Sequence, residues 1–144
     1  MNMDVARHWR TQPARYRLEG VVCSRCQTPF FPPRDRCRDC GGTTVSRVFC
    51  GLGTVYSYSV VRSAPNGFVE QVPYVVALVR LVEGPLVAAQ LTDVAPDGVA
   101  MGMAVQMVTR RLRVDGRLGL VHYAYKFRPV LADAIVGGDP SVSL

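Results

Sequence analysis

Two pairs of cysteines, Cys23-x-x-Cys26 and Cys37-x-x-Cys40, stand ten residues apart near the start of the chain. A CxxC pair turns two thiolates toward one ion from a tight knuckle, and two knuckles close a tetrahedral sulfur shell. The spacing predicts a metal site, with zinc as the preferred ion and iron as the alternative, since both accept four thiolates. Four sulfur ligands leave no open position for water or substrate, so the centre holds structure rather than performing catalysis.

The remaining chemistry-bearing residues are sparse. Cys50 is the odd cysteine, and a nucleophilic cysteine needs a nearby base. The histidines are His8 and His122, neither in a recognisable motif, so Cys50 reads as a small buried hydrophobe and His122 as a strand residue. No nucleophile elbow, phosphate-binding glycine loop, dinucleotide fingerprint or HExxH helix is present, and Gly51-x-Gly53 alone carries little weight. The chain therefore gives little support for catalysis on its own. Two clusters could bind a ligand or a partner. Arg110-Arg111-x-Arg113 alternates with Leu112 and Val114, which predicts that Arg111 and Arg113 share a face. Tyr123-Ala124-Tyr125-Lys126-Phe127-Arg128 puts aromatics on one parity and Lys126 and Arg128 on the other. Tyr125, Lys126 and Arg128 with the three arginines suit base stacking with phosphate contacts, or the adenine and phosphates of coenzyme A. The competing reading packs the aromatics in the core and leaves the cations solvated.

These residues need elements to place them. Residues 1–17 read as a helical arm in which Val5, His8 and Trp9 form one stripe and Pro13 limits the helix. Trp9, the single tryptophan, is a candidate docking anchor for a partner, with the chain's own ribbon or barrel as the alternative target. Residues 18–50 form the ribbon, its knuckles joined by Phe30-Phe31-Pro32-Pro33. Residues 51–131 then read as all-β, with strands expected near 53–63, 73–82, 85–92, 104–114 and 118–127, separated by Gly-, Pro- and Asn-containing turns. Five short strands of this kind fit a small closed barrel of the OB type. The fold class is thus mainly β: an N-terminal helical arm, a rubredoxin-like zinc ribbon and a C-terminal five-stranded OB-fold barrel. Residues 132–144 lose the pattern and read as a flexible tail.

Composition sets the setting. The chain has 144 residues, 49% of them hydrophobic, enough for a real core. It shows no apolar run long enough to cross a bilayer and no signal-peptide core at its N-terminus, so a cytoplasmic protein with reduced thiols and no membrane contact is expected. Nine arginines against four acids leave residues 1–50 at +5, most of the net charge of +6. Such a ribbon suits an acidic partner surface, a phosphorylated ligand or nucleic acid.

Several segments together resemble a known family. They are Tyr16-Arg17-Leu18-Glu19-Gly20, Phe31-Pro32-Pro33-Arg34, Val55-Tyr56-Ser57-Tyr58 after Gly51-x-Gly53, Val72-Pro73-Tyr74-Val75-Val76-Ala77, Gly102-Met103-x-Val105 and Tyr125-Lys126-Phe127-Arg128-Pro129. In this order they resemble the zinc-ribbon/OB-fold proteins associated with thiolase-type acyl-CoA enzymes. Among these are the small third component of the archaeal acetoacetyl-CoA thiolase/HMG-CoA synthase complex and the small subunit of the phloroglucinol acetyltransferase. The resemblance implies a noncatalytic accessory subunit that docks on a thiolase-like or HMG-CoA synthase-like enzyme acting on acyl-CoA. It also implies that the barrel helps house the coenzyme A or pantetheine arm during acyl transfer or C–C bond formation. Two alternatives stand beside it. One is a nucleic-acid-binding ribbon/OB module, disfavoured because the charge sits on the ribbon and the aromatics on the barrel. The other is a rubredoxin-like electron carrier.

Overall fold

A computed structural model describes residues 5–131 of the chain, and the expected tail at 132–144 lies outside the described residues. Helix α1 spans Val5–Arg17. It runs through Pro13 instead of stopping there, so the expected limit does not hold. The proline forfeits one backbone N–H bond, and tertiary docking of both helix ends on the barrel outweighs that loss. Leu18 ends the helix in the left-handed region (φ 49°), and its side chain is fully buried in the barrel core.

The ribbon is a three-stranded sheet with β1 (Glu19–Cys23) between β2 (Pro29–Phe30) and β3 (Thr44–Val48). Its apolar core consists of Val21 and Phe30 packed with Cys23 and Cys37. So little buried surface cannot offset chain entropy without a cross-link.

The second sheet contains β4 (Leu52–Val61), β5 (Tyr74–Leu81), β6 (Leu86–Gln90), β7 (Ala104–Val114) and β8 (Val121–Pro129). The order is β6-β5-β4-β7-β8, all neighbours antiparallel. A parallel bridge between Leu91 and Phe127, with Thr92 N–H donating to the Phe127 carbonyl at 2.8 Å, brings β6 to β8 and nearly closes the barrel. This is the connectivity of an OB barrel. β5 alternates strictly, with Val75, Ala77, Val79 and Leu81 inward, as a strand with one face in the core must. The segment between β6 and β7 carries only a single 3₁₀ turn, Pro96–Gly98, in place of a helix.

Ribbon and barrel share a core. Leu18 and Phe49 belong to the barrel cluster, and Phe31 packs edge-on against Phe49 (6.5 Å between centroids) and Tyr125 (5.7 Å). At the junction the Cys50 N–H donates to Glu83 Oε1 at 2.7 Å. Cys50 itself is exposed, which corrects the expectation of a buried thiol: its backbone is anchored on Glu83 while the residue stays open to solvent. The next turn explains the two glycines that carried little weight. Gly51 has φ 77°, and a Cβ there would lie 2.9 Å from Met107 Cβ; at Gly53 a Cβ would lie 2.5 Å from the Arg80 carbonyl oxygen. Both let β4 start close against its neighbours.

Candidate functional site

The thiolate centre is assembled by backbone turns. β1 ends at Cys23, and the Gln27 N–H returning to the Cys23 carbonyl (3.1 Å) closes the first knuckle; Gly41 N–H to the Cys37 carbonyl (3.0 Å) closes the second. Gly41 takes φ 70° there, a conformation glycine adopts at no steric cost. The sulfurs converge: Cys23 to Cys40 is 3.4 Å, and Cys26 to Cys37 and to Cys40 is 3.6 Å in both cases. A tetrahedral shell with metal–sulfur bonds of about 2.3 Å has edges near ~3.8 Å, so the four atoms already stand close to that geometry.

The electrostatics ask for a cation. Arg25 and Cys26 N–H groups donate to Cys23 Sγ (3.4 and 3.5 Å), and Asp39 N–H donates to Cys37 Sγ (3.4 Å). The Cys26 bond leads the effects that lower the Cys23 pKa. The Thr28 hydroxyl, 3.1 Å from Cys26 Sγ, leads those that bring Cys26 down to about 6. At Cys40 the Gly42 N–H favours the thiolate, but hydrogen bonding with Cys23, burial and the other two sulfurs outweigh it and push the thiol up to about 12. Sulfurs this close cannot all ionise unless a positive ion lies between them. The four cysteines are placed so that one metal ion could be held among their sulfurs.

The barrel candidates separate into distinct places. Arg110, Arg111, Arg113 and Lys126 line one groove of about 760 Å³ with Thr92 and Gln71. Arg111 and Arg113 do not alternate as expected. The register shifts between them, pairing Arg111 with Tyr123 but Arg113 with His122, so the ladder is broken there although both side chains line the groove. Arg110 pairs with Asp93 (3.3 Å) and Arg113 with Asp115 (3.3 Å), each with one guanidinium nitrogen. Lys126 is only 7% exposed, which overturns the reading in which the strand's cations are solvated. Arg128 lies elsewhere: with the Gln106 amide oxygen turned toward it, Gln106 accepts from Nε and Nη2 at 2.9 and 2.8 Å. Tyr125 packs its ring on Phe31 and Phe127 and donates its hydroxyl to the Ala88 carbonyl (3.3 Å), across the seam between β8 and β6. Trp9 is 74% exposed on α1, whereas its neighbour His8 faces the barrel, so the two do not act as one stripe.

Sequence reasoning missed a cluster that fastens α1 to β8. His122, 4% exposed, sits with Nε2 2.6 Å from Asp115 Oδ2, and its ring lies 4.4 Å from that of His8. Arg15 Nη1 is 3.1 Å from His8 Nδ1, and Thr109 donates to the Tyr16 carbonyl at 3.1 Å. Burial, then His122, Arg15 and Arg113 push the His8 pKa down, against Asp115; the hydrogen bond to His122 leads the effects that lower Asp115. No spacing in the sequence joins residues 8, 15, 115 and 122; only the docked helix does.

Comparison with known proteins assigns both halves. Residues 10–46 match the rubredoxin-like zinc ribbon domain of ChsH2, and residues 47–110 match the ChsH2 C-terminal OB-fold domain. The chain belongs to the ChsH2/DUF35 zinc-ribbon/OB-fold family. A DUF35 domain-containing scaffold protein of Pyrococcus furiosus is 45% identical over 130 residues, covering 90% of this chain and 95% of that protein. A protein of the same description from Methanocaldococcus jannaschii is 43% identical, covering 88% of this chain and 91% of the other. Among solved structures, a chain of the Ltp2-ChsH2(DUF35) aldolase superposes with a TM-score of 0.66 at 34% identity, covering 90% of this chain and 96% of that one. Among the described residues, no helix is long and apolar enough to cross a membrane.

Proposed function

We propose that this DUF35 chain is a noncatalytic scaffold subunit that docks on a thiolase-like acyl-CoA enzyme and helps hold the coenzyme A arm. The observation that carries the reading is the likeness, over 90% of the chain, to a chain of the Ltp2-ChsH2(DUF35) aldolase, an assembly named for two components. Relatives of nearly equal length are named as scaffold proteins, which points the same way. The site chemistry agrees. Four cysteines supply every ligand of a tetrahedral ion, and zinc, which has no redox chemistry, suits a ribbon whose task is to hold shape. An exposed Trp9 on a docked helix offers a partner an aromatic anchor, and the cationic groove offers phosphate contacts.

Co-expression with thiolase-fold and HMG-CoA synthase-like proteins of the same organism tests the reading. A stable complex that loses activity when this chain is omitted is the expected result. A chain that stays alone in every pairing removes the docking role. Metal analysis of the same preparation should find one zinc per chain in colourless protein; red, redox-active iron protein would return the electron-carrier reading.

A further inference from the structure

Lys126 is buried on β8 without a counter-charge. Its cross-strand partner on β7 is Val108, and Arg110, opposite Ala124, is the next residue along the same face. Among the described residues the Lys126 side chain has no hydrogen-bond or ion-pair partner. The charges that act on it are those of Arg110 and Arg111; after burial, both push its pKa further down, and no carboxylate opposes them. The groove has four cationic residues in its wall against a single acid, the exposed Glu70, while Asp93 and Asp115 engage Arg110 and Arg113. The Lys126 stem is buried while its ammonium opens into the groove beside two guanidinium groups, a cluster of like charges that an anion would offset. Such an arrangement in a concave groove is a candidate binding site.

We propose that this groove binds the phosphoryl group of a small phosphoester ligand, with Lys126 at its base and Arg110 and Arg111 on its exposed side. Donors from two strands and the Thr92 hydroxyl after β6 surround the space, an arrangement suited to the several oxygens of a tetrahedral phosphate rather than to a planar carboxylate. A phosphate monoester carries about −1.5 to −2 at neutral pH, which the cation excess can balance. The volume of about 760 Å³ leaves room for the organic part of a nucleotide-sized molecule. The inference deepens the coenzyme part of the proposed function by naming the group recognised and the residue that anchors it.

Calorimetric titration of the metal-loaded full chain with inorganic pyrophosphate, at low salt, tests the site. Saturable binding is expected, weakened about tenfold by Lys126→Met and about threefold by Arg111→Gln, as losses of charge-assisted hydrogen bonds. Arg36→Gln on the ribbon should leave it unchanged. Melting curves report whether Lys126→Met folds, and the exposed Arg111 supplies an independent arm if it does not. Adenosine 3′,5′-bisphosphate should compete with pyrophosphate, and citrate should compete poorly. Absence of binding, equal loss in Arg36→Gln, or citrate binding as tightly as pyrophosphate would overturn the site. A single-stranded oligonucleotide that binds through Lys126 more tightly than the bisphosphate would also overturn it, in favour of nucleic acid. Failure of the docking reading is distinguishable: pyrophosphate binding that depends on Lys126 in a chain that captures no acyl-CoA enzyme leaves the site standing and removes only the scaffold role.

Discussion

The ribbon and the barrel solve the same stability problem by different means. The barrel buries a continuous apolar cluster from Val55 through Phe127, whereas the ribbon packs little more than Val21 and Phe30 around its sulfurs. The barrel is therefore held by area removed from water, and the ribbon by an ion that joins residues far apart in sequence. The two are not independent, because Leu18, Phe31 and Phe49 extend the barrel core to the ribbon. The cationic groove lies on the barrel, the half that this contrast predicts to stay folded without metal.

The sharpest way to break this contrast is to remove the ion. Chelation, or Cys37→Ser, should unfold the ribbon while the barrel strands persist, since structural zinc contributes about 10–16 kcal/mol in small ribbons. Amide NMR should then show dispersion lost for residues 19–48 and kept for β4–β8; simultaneous loss of both halves would show that the shared core makes them one unit. The reciprocal change, Phe127→Ala, removes a fully buried ring and should cost about 3–5 kcal/mol. Denaturant unfolding should show the loss in the barrel, with metal still bound to the ribbon. Phe31→Ala attacks the joint itself. The ring is partly buried, so a loss of about 2 kcal/mol is expected, read as wider separation between ribbon and barrel transitions.

The smallest effect is a pH dependence. A histidine with a lowered folded pKa contributes stability that is fully present above about 6.5 and is lost as pH falls through its folded value. His8 has this sign, as burial, His122, Arg15 and Arg113 oppose its charge and Asp115 favours it. Asp115, whose pKa is held down chiefly by its hydrogen bond to His122, acts in the same direction at lower pH. Protection factors of the α1 amides, corrected for the intrinsic fall of exchange with pH, should drop between pH 7 and pH 5.5, and His8→Phe should flatten that response. An unchanged profile in the variant would assign the effect to other groups.

Much of this architecture was legible because it rests on local chemistry. The CxxC pairs announce their knuckles, and turn residues mark strand ends closely enough that the expected span at 104–114 coincides with β7. Pro13 was misread because a local rule met a tertiary contact: docking sustains a helix that propensity alone would end. The even alternation expected over Arg111–Arg113 fails because it assumes an unbroken ladder, and the register shifts between the two arginines. Cys50 was misread because apolar character does not say whether a junction residue is covered.

By itself the sequence determined the four-thiolate centre, the succession of helix, ribbon and barrel, and the family. The first two follow from spacing and periodicity, which act between near neighbours, and the family follows from the resemblance of its ordered segments. Only the tertiary structure decided which charges are exposed and which are enclosed. The closure of β8 toward β6 buries Lys126 among arginines, and the docking of α1 joins His8 to His122. Those environments arise from residues remote in the chain, and burial and electrostatics depend on distance in space rather than on order along the backbone.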